Sequence, residues 1–129
     1  MTRVLVIDDD PGVRLVLQKN LEHAGFEVLI AEDGPRGLGA ARLGAPDIIV
    51  LDLMMPHVDG FEVLRDLRLH ATTSTLPVIV LTALTDPVVK ERCRHAGADL
   101  VMTKPFEPGA LASEITRILD LQPRVVPLG

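Results

Sequence analysis

The sequence predicts an α/β fold in one domain, a parallel sheet with helices on both faces. Three observations predict it. Five short runs rich in Val, Ile and Leu recur along the chain, most of them apolar without alternation, as strands covered on both faces must be. The stretches between them are long enough for a crossover helix and place apolar residues at helical spacing. Aspartate-proline pairs and glycines stand where those helices should begin and end.

The first strand is "RVLVID", Arg3 to Asp8. From Asp10 to Gly25, Val13, Val16, Leu17, Leu21 and Ala24 share one helical face, and Asp10 can cap a helix whose first position is Pro11, where a missing amide hydrogen does no harm. "FEVLIA", Phe26 to Ala31, is the second strand. The helix expected from Asp33 to Gly44 has a weaker pattern, because Gly37 and Gly39 lower its propensity. "DIIVLD", Asp47 to Asp52, is the third strand, and turns at Pro56 and Gly60 lead into a helix from about Gly60 to His70. "PVIVLT", Pro77 to Thr82, precedes a helix opened by Asp86-Pro87 and closed at Gly97. "DLVMT", Asp99 to Thr103, and a last helix from about Pro108 to Leu121 complete the alternation. Gly25, Gly44 and Gly97 are expected in the left-handed conformation that ends many helices. The domain is expected over residues 1–121, with "QPRVVPLG" at 122–129 as a tail or the start of a linker.

Composition excludes several function classes. A net charge of -5 with scattered arginines does not suit binding of nucleic acid through its phosphates, and three Phe with no Tyr or Trp offer no stacking platform. No apolar run approaches the ~20 residues needed to cross a bilayer. "MTRVLVIDDD" has no charged leader with a small-residue cleavage site, so a cytoplasmic protein without membrane association is expected. Cys93 is the only cysteine, cannot form an internal disulfide, and is expected as a buried helix residue.

In such a sheet the ends that follow each strand lie along one edge, where ligands bind at the point of reversed winding. Asp8 and Asp9 follow the first strand, Asp52 the third, Thr82 the fourth and Lys104 the fifth. The second strand ends in Glu32 and Asp33 and is expected at the outside, away from the site. Singly, each of these residues has an ordinary role as turn, cap or solvated side chain. Jointly they point to chemistry. Three carboxylates brought together repel one another unless protonated or neutralised by a cation. A hard divalent ion with oxygen ligands fits best, and Mg2+ suits a small open acidic cluster; no His or Cys stands at zinc-ligand spacing. With the Lys104 ammonium and the Thr82 hydroxyl, these are the parts needed to pass a phosphoryl group to oxygen. Asp52 is the candidate acceptor, and Asp8 and Asp9 are better placed as metal ligands.

Four segments carry a resemblance: "VLVIDDDPGVR" at Val4 to Arg14, "DIIVLDLMMPHVDGFEVL" at Asp47 to Leu64, "PVIVLTA" at Pro77 to Ala83 and "GADLVMTKPF" at Gly97 to Phe106. In this order, the chain resembles the receiver domains of two-component response regulators. The resemblance implies a flavodoxin-like (βα)5 fold with strand order 2-1-3-4-5. It implies Asp52 as phosphoacceptor, Mg2+ held by Asp9, Asp52 and the backbone carbonyl of Met54 with Asp8 acting through water, and Thr82 and Lys104 on the phosphoryl oxygens. It further implies a cis Lys104-Pro105 bond, a sensor histidine kinase or histidine phosphotransfer protein as donor, and a downstream protein target or an output domain beyond this chain. A domain of this kind catalyses its own phosphorylation and dephosphorylation without being a turnover enzyme.

One position departs from the family pattern. Three residues before the lysine, where receivers usually carry Tyr or Phe, stands Val101, which has no ring to bury or expose. The output surface is therefore expected to respond through backbone and helix shifts, or to lie on another face. Met54 and Leu84, two residues beyond the acceptor and the threonine, are apolar and cannot orient an attacking water, so a long-lived aspartyl phosphate is expected. Other readings are a haloacid-dehalogenase-like phosphatase, in which Asp8 and Asp10 would form an Asp-x-Asp pair, an FMN carrier, and an unphosphorylated receiver-like interaction module. Asp10 is better used as a helix cap, three acids after the first strand would repel a flavin phosphate, and pure scaffolding needs none of the acids.

Overall fold

The computed structural model describes residues 1–55 and 58–121. The turn expected at Pro56 and the tail expected at 122–129 lie outside the described residues. Strand and helix alternate: β1 (Arg3–Ile7), α1 (Pro11–His23), β2 (Glu27–Ala31), α2 (Gly34–Leu43) and β3 (Ile48–Asp52). A two-stranded ribbon follows, β4 (Met54–Met55) and β5 (Val58–Asp59), and then α3 (Gly60–Leu69), β6 (Val78–Thr82), α4 (Pro87–His95), β7 (Leu100–Thr103) and α5 (Pro108–Leu121). The five main strands pair in parallel in the order β2-β1-β3-β6-β7, which is the expected 2-1-3-4-5 when only those strands are counted.

Side chains that alternate along the strands build two cores. Leu5, Ile7, Ile49, Leu51, Val78 and Val80 pack with Val63, Leu64 and Leu67 of α3 and Cys93 of α4. On the other face Val4, Val6, Ile48, Val50, Ile79 and Leu81 pack with Leu17 and Leu21 of α1 and Leu111, Ile115 and Ile118 of α5. Both faces of β3 and β6 are fully buried, whereas the outer strands β2 and β7 are mostly half-buried. That is why the central strands carry no polar alternation.

The caps follow the sequence. Asp10 accepts hydrogen bonds from the amides of Gly12 and Val13, Asp33 from that of Arg36, and Asp86 from that of Val88. Gly25 and Gly97 have positive φ, 97° and 108°, as expected. Gly44 does not: its φ is -85°, and Ala45 takes the positive value instead. Its lack of a side chain serves space, because a Cβ there would lie 2.7 Å from the Ala40 carbonyl oxygen and 2.7 Å from Leu29 Cδ1. β1 also ends one residue earlier than expected, at Ile7, since the Asp8 carboxylate accepts from the Asp10 amide and starts the turn.

The ribbon between β3 and α3 was not legible as a pair of strands, being only two residues a side. Nor was the role of Arg68. Its guanidinium donates to the carbonyls of Gly97 at 2.6 Å, Leu76 at 2.6 Å and Ser74 at 3.2 Å, and to the Asp99 carboxylate at 3.2 Å. One side chain on α3 thus ties down the segments that lead into β6 and β7.

Candidate functional site

The reversal of winding falls between β1 and β3, and their ends carry the acids. Asp8 is fixed twice: its carbonyl accepts from the Arg14 guanidinium at 2.8 Å, and its Oδ1 accepts from the Asp10 amide at 2.9 Å. Its Oδ2 is buried without a hydrogen-bond partner, and Lys104 Nζ lies 3.9 Å from it. Asp52 closes β3 and is only 6% exposed. Its Oδ1 accepts from the Met54 amide at 3.2 Å and lies 3.7 Å from Lys104 Nζ. Asp9 is half-buried, and Asp8, Asp9 and Asp52 each present an oxygen within 4.8 Å of the others.

Burial pushes both the Asp8 and the Asp52 carboxyl above the ordinary carboxylate range. For Asp8 the Asp10 amide works against burial, and Asp52 adds repulsion. For Asp52 the Lys104 ammonium and the Met54 amide pull the value down, and Asp9 pushes it up. Desolvation wins at both positions because one ammonium, 3.7 Å from Asp52 and 3.9 Å from Asp8, is shared between two buried carboxylates and balances their charge only in part.

Thr82 is fully buried at the end of β6, next to β3 in the sheet, and its hydroxyl accepts from the Leu84 amide at 3.1 Å. The Thr82 carbonyl accepts from the Lys104 amide at 2.8 Å, which anchors the start of the loop after β7 beside the acids. The Lys104-Pro105 bond is cis. Met54, the first residue of the ribbon, has its side chain largely exposed. Gly60 explains how the ribbon meets α3: a Cβ there would come within 2.6 Å of the Leu53 carbonyl oxygen and 2.8 Å of its Cα. The segment immediately after Asp52 therefore packs backbone to backbone against the first residue of α3.

The sequence-predicted residues Asp8, Asp9, Asp52 and Lys104 are thus brought into one cleft, with Thr82 on the adjacent strand end. The hydrogen bond at the Thr82 hydroxyl runs to its own loop. Sequence reasoning missed Arg14, whose signal was only its position one turn into the helix that follows the acids, and the backbone approach at Gly60, signalled only by the Asp-Gly pair. The donor set is oxygen only. The orphaned Asp8 oxygen, the clustered carboxylates and the lone ammonium make it fit a hard divalent cation.

Residues 4–116 match the response regulator receiver domain family. The chain belongs to that family. As a receiver it is a phosphoryl-accepting signalling switch of two-component systems. It is 41% identical over 125 residues to the DNA-binding dual master transcriptional regulator RpaA of Synechocystis, covering 97% of this chain and 52% of that protein. It is 39% identical over 117 residues to the alkaline phosphatase synthesis transcriptional regulatory protein PhoP of Bacillus subtilis, covering 91% and 48%. The receiver spans about half the length of these curated relatives. Among solved structures, the chemotaxis protein CheY4 of Vibrio cholerae superposes with a TM-score of 0.87 at 33% identity, over 92% of this chain and 98% of that one. The receiver domain of a sensor histidine kinase from Pseudomonas aeruginosa, with a magnesium ion coordinated in its active site cleft, superposes with a TM-score of 0.84 at 27% identity, over 92% and 98%. No helix among the described residues is long and apolar enough to cross a membrane.

Proposed function

We propose that Asp52 is the phosphoacceptor and that residues 1–121 form the receiver domain, with 122–129 as a tail or the start of a linker. The reading is carried by one observation: the Asp52 carboxylate stands at the centre of the edge, beside Asp8 and Asp9 and 3.7 Å from the Lys104 ammonium. In the reaction an Asp52 oxygen attacks phosphorus, a new O–P bond forms, and the P–N bond of a phosphohistidine donor breaks, its electron pair leaving on the imidazole. Hydrolysis reverses the modification when water attacks the same phosphorus and returns a free carboxylate and inorganic phosphate. The domain catalyses both steps on itself and turns over no separate substrate.

Asp9, Asp52 and the Met54 carbonyl would hold Mg2+, with Asp8 acting through water. When bound, the ion supplies positive charge to the phosphoryl oxygens. Lys104 would share that work: its ammonium is already 3.7 Å from Asp52 and 3.9 Å from Asp8, so charge added at Asp52 strengthens an existing attraction. Thr82 is poised to couple the event outward. Its hydroxyl oxygen accepts from the Leu84 amide while its hydrogen is available to donate to a phosphoryl oxygen, so turning toward that oxygen pulls on the loop leading into α4. Val101 packs half-buried against the core containing Val80 and Cys93, so the output is carried by movement of the backbone and α4.

The donor is a sensor histidine kinase or histidine phosphotransfer protein in the cytoplasm. Exposed Val16 on α1 lines an apolar cleft of about 390 Å³ that reaches Lys104, Pro105 and Phe106, a place for such a donor to rest beside the acceptor. The signal passes to a protein target or to an output domain outside this chain. Intact mass after incubation with acetyl phosphate and Mg2+ tests the reading: a single phosphoryl adduct is expected, absent without Mg2+ and absent in Asp52→Asn. An equal adduct on Asp52→Asn would remove it.

A further inference from the structure

Between α3 and α4, on the face away from α1 and α5, lies a groove of about 520 Å³. Its floor is apolar, made by Phe61, Leu69 and Ala96, and its charged lining is entirely cationic, Arg65, Arg68 and Arg92, with His95 beside them. In a chain of net charge -5 this concentration stands out, for Arg65, Arg68, Lys90, Arg92 and Arg94 all belong to these two helices.

The arginines are not equally engaged. Arg68 is committed to backbone carbonyls and Asp99, and the His95 ring faces Glu91 at 3.4 Å. Arg65 and Arg92 have no carboxylate within ion-pair distance among the described residues; Arg92 lies over the Phe61 ring, 4.0 Å from its centroid. That stacking holds one guanidinium at the groove wall with its hydrogen-bonding edge free. Leu69 is 70% exposed, an apolar surface in need of cover. The acids of α3, Glu62 and Asp66, do not line the groove.

We propose that this groove is a docking surface for an acidic amphipathic protein segment. Apolar side chains one helical turn apart would cover Phe61, Leu69 and Ala96, while flanking carboxylates meet Arg65 and Arg92. The mixed lining favours this partner over a small anion, which would use the guanidinium groups and leave Leu69 and Phe61 bare. The proposal does not depend on the identity of the phosphoacceptor. It does place the surface on two helices that emerge from the loops following Asp52 and Thr82.

The test is an amide chemical-shift titration of the labelled chain with an acetylated, amidated synthetic peptide in which leucines recur one helical turn apart among glutamates. Saturable shifts confined to α3, α4 and the residues joining them are expected, weakening as salt is raised. Arg65→Glu and Arg92→Glu, both exposed substitutions whose own spectra report folding, should each weaken binding about five- to tenfold. No shifts, shifts centred elsewhere, or undiminished binding by folded Arg65→Glu and Arg92→Glu variants would overturn the proposal. So would tripolyphosphate producing the same shifts while the peptide produces none, which would make the groove a small-anion site.

Discussion

Replacing Asp8 by asparagine should make the metal-free protein more stable and less responsive to magnesium. Asp8 is 1% exposed, its Oδ2 has no hydrogen-bond partner, and its counter-charge is 3.9 Å away and shared with Asp52. Asparagine keeps the oxygen that accepts from the Asp10 amide and removes the buried charge. The amide that replaces Oδ2 is itself unpartnered, so what is relieved is the extra cost of a buried charge and its repulsion by Asp52 and Asp9, on the order of 1–3 kcal/mol at neutral pH. In a domain of this size each kcal/mol moves the melting temperature by about 4 °C, giving a rise of roughly 4–12 °C. Magnesium should act unequally on the two proteins. At ten times its dissociation constant it stabilises the wild type by about 1.4 kcal/mol, and the variant, lacking the charge, should gain little. Thermal unfolding followed by circular dichroism with EDTA and with Mg2+ reads both effects. A less stable variant in EDTA, or an undiminished magnesium shift, would refute the reasoning that a strained acidic cluster awaits a cation.

Other outcomes follow from the same geometry. Asp8 and Asp52 hold protons more tightly folded than unfolded, so folding takes up protons in that range. Metal-free wild type should therefore lose stability relative to the Asp8→Asn/Asp52→Asn double variant as pH rises from the ordinary carboxylate value past the raised ones, with no further change above; urea titrations across pH measure this. Gly60→Ala drives a Cβ into the Leu53 backbone and should cost about 1–3 kcal/mol in chemical denaturation while slowing phosphorylation, since the segment after Asp52 must shift. Arg68→Ala removes donors from four carbonyls and Asp99 and should destabilise by about 2–4 kcal/mol in the same assay, without abolishing phosphorylation. Met54→Asn puts a hydrogen-bonding group where the wild type has an exposed apolar side chain, and should shorten the lifetime of the phosphorylated form several-fold, read by the decay of the intact-mass adduct.

Much of this molecule is written in its sequence because the parallel sheet imposes simple demands. Strands buried on both faces must be apolar throughout, so β3 and β6 announce themselves, and aspartate-proline pairs mark α1 and α4. The site is legible for a related reason: once the strand order is known, residues after β1, β3, β6 and β7 share one edge whatever their separation in the chain. What the sequence hides are features that depend on exact backbone approach. Gly44 looks like a left-handed helix end, yet Ala45 takes that conformation and Gly44 is small to clear Leu29 and Ala40. The ribbon of β4 and β5 is too short to carry a periodic signal. Arg68 resembles any helix arginine until the carbonyls it gathers, from two distant segments, are seen together.

The phosphoacceptor can be located chemically. Borohydride reduces an aspartyl phosphate to homoserine, leaving a permanent mark at the modified carbonyl, and tandem mass spectrometry of the peptides from phosphorylated, reduced protein then reads its position. Homoserine at Asp52 and nowhere else is the predicted result; homoserine at Asp8, Asp9 or another acid, with Asp52 intact, would contradict it.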